Sequence, residues 1–165
     1  NYMSESGSNI LSEIPADFMR RKTLSAENLA TMSTKINYGE FGFAVTDEPK
    51  AHGGDSGGPS PLQAVVGALC GCEAVTFRRT ATEMKFNYSR IDFEGSFTID
   101  IRGRMGDRSV RPHFQTVKLA IKVTTSESPE ALEKVIEETE ARCPVMNLLQ
   151  DANVNLEVKW QHVPE

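Results

Sequence analysis

The stretch from Gly53 to Met84 constrains this chain most. A lead-in rich in Gly and Pro ends at Pro61. It runs into an almost unbroken apolar segment, Leu62 to Phe77, interrupted by Gln63, Glu73, Thr76 and small residues. Its Leu, Ala, Gln and Val content, with no proline after Pro61, predicts a helix over Ser60 to about Ala81. Ser60 serves as N-cap and Pro61 as the first helical residue. Apolar residues surround this helix, so it should be buried on most sides. Ala64, Gly67, Ala68 and Gly71 recur at spacings of three and four, which lets a second helix approach closely. Two of the three cysteines, Cys70 and Cys72, lie inside the segment, and the third, Cys143, precedes Pro144.

A length of 165 residues predicts a single domain able to bury a core, with residues 1–12, rich in Ser, loose. The net charge of −5 and pI near 5.3 leave no basic excess to displace phosphate counterions, which argues against a nucleic-acid partner. No window offers the roughly 20 uninterrupted apolar residues of a membrane span. The start shows no basic and apolar signal segment. Three widely spaced cysteines do not form a secreted disulfide framework, so a reducing cytoplasm is the expected location.

Around the central stretch, the chain reads as mixed. A short amphipathic helix is expected over Ile10–Arg21, limited by Pro15. Residues 22–46 look β-like, with a turn or bulge at Gly39, Glu40 and Gly42, and 47–61 is loop. Three stretches alternate with period two: Ile91, Phe93, Phe97, Ile99 and Ile101; Val117, Leu119, Ile121 and Val123; Val154, Leu156, Val158 and Trp160. One-faced alternation predicts an antiparallel sheet with one side on a core. Between the last two strands lies an amphipathic helix capped by Ser128 with Pro129 next. Its inner stripe is Leu132, Val135, Ile136 and Thr139, and four residues further comes Cys143. Pro144 disfavours α geometry at Cys143 and starts a short helix, 144–150. The fold class is therefore α+β, an antiparallel sheet on two main helices.

Residues 54–59 read Gly-Asp-Ser-Gly-Gly-Pro, the string around the nucleophile of trypsin-like proteases. The architecture rejects that chemistry. Ser56 comes too early for a chain that would need two β-barrels. His52 sits in the same loop, whereas a triad needs groups converging from separate scaffolds. The string is expected to be a turn before the helix.

A reactive cysteine needs a lowered pKa, access, and often a second thiol to resolve its oxidised form. Cys143 would occupy the N-cap of the short helix, where free N–H groups favour a thiolate, so its pKa is expected to be lowered. Cys70 and Cys72 are about 200° apart around a helix, so at most one of them points toward Cys143. Against redox work stands the fact that cysteine is commonly buried with no function. His52, His113 and His162 are isolated, and no Cys/His spacing resembles a metal site. Glu48 is expected to organise its loop and Glu73 to face solvent.

The series Asp47-Glu48-Pro49, Gly53-Gly54, Gly58-Pro59-Ser60-Pro61, then Ala68-Leu69-Cys70-Gly71-Cys72, resembles the OsmC/Ohr family of osmotically induced and organic-hydroperoxide-resistance proteins. Arg142-Cys143-Pro144-Val145 resembles its second cysteine motif. The likeness covers roughly residues 20 to 161. It implies an OsmC-like fold, an intertwined homodimer with the sheet wrapped around two central helices. It also implies thiol peroxidase chemistry without a cofactor. Cys72 would attack a hydroperoxide and become a sulfenic acid, Cys143 would condense with it to a disulfide, and a dithiol such as dihydrolipoamide would reduce the pair.

Two positions depart from the hydroperoxide-resistance pattern. Leu62, with Gln63 next, stands where a glutamate follows the helix-starting proline, and the stretch from Ala26 to Tyr38 contains no activating arginine. Arg20, Arg21, Arg79 and Arg111 are substitutes in principle, each expected as a surface charge. The chain thus sits nearer the broader OsmC-like branch. Two other readings accompany peroxidase action: non-enzymatic binding of a small apolar ligand, and a redox response without turnover.

Overall fold

The computed structural model describes residues 14–165, so the expected loose segment 1–12 lies outside the described residues, as does the start of the helix expected over 10–21. From residue 14 onward that stretch holds a 3-10 turn, Ala16–Phe18. The described chain forms two compact units, one ending at Pro59 and one running from Ser60 to Glu165.

The first unit is an antiparallel three-stranded sheet, β1 (Ser25–Asn28), β2 (Thr34–Asn37) and β3 (Phe43–Thr46), in that order. The expected turn at Gly39–Gly42 is a 3-10 turn with positive φ at both glycines, where an L side chain would be strained. After β3 the loop folds around Asp47, which is 1% exposed. Its carboxylate accepts N–H bonds from Glu48, Asp55 and Gly57. Those bonds hold its pKa below the usual carboxylate range. The glycines are needed for close approach as much as for turning. A Cβ on Gly54 would lie 2.0 Å from the Glu48 carbonyl oxygen, and one on Gly58 would lie 2.3 Å from that of Val45.

The second unit contains helix α1 (Pro61–Glu83), strand β4 (Arg90–Ile99), a helical turn α2 (Ile101–Arg104), strand β5 (Phe114–Thr125), helices α3 (Pro129–Arg142) and α4 (Pro144–Asp151), and strand β6 (Asn155–Pro164). Helix α1 starts as expected, with a complete capping box. Ser60 Oγ accepts from the Gln63 N–H, and Gln63 Oε1 accepts from the Ser60 N–H. Ile101 leaves the strand, because Asp100 accepts from the Arg102 N–H and starts α2 instead.

Strand β5 is central. It pairs antiparallel with β4 as expected, but β6 joins its other edge in parallel. The α3–α4 crossover explains the difference, because its two helices return the chain to the end of the sheet where β5 began. Along β5, Val117, Leu119, Ile121 and Val123 are buried, while Lys118, Ala120 and Lys122 are exposed. The helices pack on one face of the sheet.

Within the chain, α1 buries one stripe rather than most of its surface: Val66, Leu69, Glu73, Phe77, Thr80 and Ala81. Phe77 locks that stripe in place. Its ring stacks on Trp160 of β6 at 5.6 Å and meets Tyr88 edge-on at 4.9 Å. Burying a side chain of this size contributes about 1.5–3 kcal/mol. The other side of α1 stays open, with Val65 and Val75 exposed and open space around Gly67 and Gly71.

Candidate functional site

The three cysteines are free thiols. Cys70 and Cys72 leave α1 on different sides, as the helical rotation requires. Cys70 is half-buried and lines an open groove of about 420 Å³ with Gln63, Val66, Gly67 and Gly95, Ser96 and Phe97 of β4. Cys72, also half-buried, lies near enough to Cys143 to help hold that thiol neutral. Cys143 is fully buried at the junction of α3 and α4.

Why Cys143 points inward follows from α3. Leu132, Val135 and Thr139 are buried at helical spacing, and Cys143 is the next position on that stripe. Pro144 then resets the chain into α4, and Cys143 is the N-cap of that helix, as expected. Its chemistry differs from the expectation. Burial pushes the Cys143 thiol up to about 12. The Met146 N–H favours the thiolate, but the Cys72 thiol and the Glu73 carboxyl oppose it. The N-cap effect is real and is outweighed by desolvation. Burial, with a further push from Glu73, raises the Cys70 thiol too.

Glu73 is the residue that sequence reasoning misplaced. It was expected in solvent, yet it is fully buried, and neither carboxyl oxygen has a hydrogen-bond partner. Burial and the nearby Glu140 raise its pKa to about 7. Glu140 on α3 accepts a 2.7 Å hydrogen bond from Trp160 Nε1. The spacing held the signal. Val66, Leu69, Glu73, Phe77 and Thr80 follow one helical stripe, and a charged residue on that stripe has to be inside.

The arginines named as substitutes are engaged or exposed. Arg20 donates to the Asp17 and Met19 carbonyls, Arg111 donates to the Asn153 carbonyl, and Arg21 and Arg79 are exposed. Gln63, next to the departure from the glutamate pattern at Leu62, is held in the capping box. Among the described residues no His/Cys/Asp/Glu cluster could hold a metal ion, and no helix is long and apolar enough to cross a membrane.

Ser56 has a structural task. Its Oγ accepts the Lys50 N–H at 3.0 Å, and its own N–H donates to the Glu48 carbonyl. Ser56→Ala is therefore expected to leave any activity unchanged within about twofold, because it removes one exposed hydrogen bond worth about 1 kcal/mol. Covalent labelling of Ser56 by a serine-protease inhibitor would contradict that assignment.

A helix carrying two cysteines, packed beside a two-helix crossover carrying the third and backed by a three-stranded sheet, defines an OsmC-like fold. Residues 53–159 match the family described as OsmC-like protein, and the chain belongs to that family. Solved structures agree on the fold. An OsmC-like protein from Mycoplasma pneumoniae superposes with a TM-score of 0.72 at 17% identity, covering 88% of this chain and 97% of that one. An organic hydroperoxide resistance protein OsmC from Legionella pneumophila gives 0.61 at 14% identity, covering 87% and 98%. The organic hydroperoxide resistance protein OhrB of Bacillus subtilis gives 0.57 at 16% identity, covering 87% and 98%. A sequence search of curated proteins found no match.

Proposed function

We propose that the chain is a thiol-dependent peroxidase acting on organic hydroperoxides or hydrogen peroxide through Cys72 and Cys143. The observation that carries this reading is the pairing of a half-buried thiol with a fully buried one across two elements of the fold. Cys72 attacks the distal peroxide oxygen as a thiolate. The O–O bond breaks, Cys72 becomes a sulfenic acid, and the alcohol or water leaves with a proton. Cys143 then attacks the Cys72 sulfur, forming a disulfide and releasing water. A dithiol, dihydrolipoamide among the candidates, reduces the disulfide by exchange. The Legionella and Bacillus proteins, named for organic hydroperoxide resistance, support the substrate class. Consumption of cumene hydroperoxide with dihydrolipoamide present tests the reading. Turnover at a rate no faster than the reductant alone would overturn it.

One observation favours a redox response without turnover. Burial above all holds Cys143 as a neutral thiol. That slows resolution and suits a protein that forms its disulfide once. The same peroxide assay separates the two, since a single equivalent consumed per chain is the signature of the second.

The active form is proposed to be a cytoplasmic homodimer. Support comes from the open side of α1, where Val65 and Val75 are exposed and nothing approaches Gly67 or Gly71. Sedimentation at low micromolar concentration should give one dimeric species, and Gly71→Arg should shift it to monomer. A stable folded wild-type monomer there would contradict the assignment.

A further inference from the structure

Glu73 costs stability where it sits. A buried polar group left without a partner costs about 1–3 kcal/mol, and more if charged. Its burial is complete within one chain, and neither carboxyl oxygen meets a hydrogen-bond partner there. The titratable groups around it are Cys70 and Cys72 on its own helix, Glu140 on α3, and Cys143 at the α3–α4 junction. Cys143 is buried as deeply, shielded from bulk water that could take its proton. We propose that Glu73 carries the proton Cys143 must lose when it attacks sulfur at Cys72, a role that rests on reading these two cysteines as the reactive pair.

The step balances. The Cys143 sulfur bonds to the Cys72 sulfur, and the S–O bond of the sulfenic acid breaks. The Cys143 proton passes to the Glu73 carboxylate. The leaving hydroxide takes that proton and departs as water, and Glu73 returns to its ionised form. Burial makes Glu73 a stronger base than a solvated carboxylate, and a midpoint of about 7 keeps both of its forms populated near neutrality. Glu73 follows Cys72 in sequence and lies on the buried stripe of α1, close enough to Cys143 to act on its thiol electrostatically, with neither carboxyl oxygen hydrogen-bonded before the cysteines react.

The test needs no peroxide. In a Cys70→Ser background, Cys72 is converted to a mixed disulfide with thionitrobenzoate. Release of the coloured thiolate, as Cys143 attacks, is followed from about pH 5.5 to 9. With Glu73 present, the rate should climb and then level off above about pH 7.5. Glu73→Gln should be roughly 100-fold slower at pH 7 and rise about tenfold per pH unit with no plateau. Glu73→Asp should restore the plateau in part. Equal rates and profiles before and after the Glu73→Gln substitution overturn the proposal. So does a rate without a plateau, or no release at all, when Glu73 is intact, measurements that do not depend on any variant of Glu73 folding. Release with a plateau from a protein that consumes no peroxide would keep the role of Glu73 and remove the peroxidase reading. Peroxide turnover without the plateau would do the reverse.

Discussion

Cys72→Ser is expected to abolish peroxide reduction, with a loss on the order of 10³-fold or more, because no other described thiol combines partial access with a neighbouring second thiol. The measurement is peroxide consumption with a dithiol in excess. Cys143→Ser should behave differently. It should consume about one equivalent of peroxide per chain and then stop, with a sulfenic acid trapped on Cys72. Cys70→Ser should retain activity, because Cys70 faces the groove beside β4 and not Cys143. Full activity in Cys72→Ser would move the chemistry elsewhere.

Glu73→Gln is expected to remove a pH dependence of stability worth about 3 kcal/mol. The folded pKa, about 7, lies above the unfolded value of 4.5. The folded state therefore binds more protons between these values. The stability that protonated Glu73 contributes is complete below pH 4.5 and is lost as pH rises through 7. A difference of that size, at 1.36 kcal/mol per pKa unit, sets the magnitude. Thermal unfolding at pH 4 and pH 8 reads it out. The gap in favour of Glu73→Gln should be larger at pH 8 by roughly 6–12 °C in Tm. A gap independent of pH would place Glu73 in contact with water.

The elements of this fold were largely legible because local rules and packing agree. The capping box at Ser60, the Ser128–Pro129 start of α3 and the strict alternation of β5 each mark one structure. What escaped was long-range. Alternation in β6 says that one face is buried but carries no direction, and the α3–α4 crossover sets that direction as parallel. Ile101 continued an apolar pattern, yet the single Asp100 cap was enough to end the strand. The nearness of Cys72 and Cys143 was legible in the sequence, and their electrostatics were not. The N-cap at Cys143 predicted a lowered pKa, and full burial reversed the sign. Glu73 was misread because its charge was weighed above its register, although Leu69 and Phe77, each four residues away, fix it on the inner stripe.

The central claim is the pairing of Cys72 with Cys143, and peptide mapping after treatment with one equivalent of hydroperoxide tests it most directly. The account predicts a Cys72–Cys143 disulfide, with Cys70 recovered as a free thiol. A Cys70–Cys143 link, or three free thiols after exposure, would contradict it.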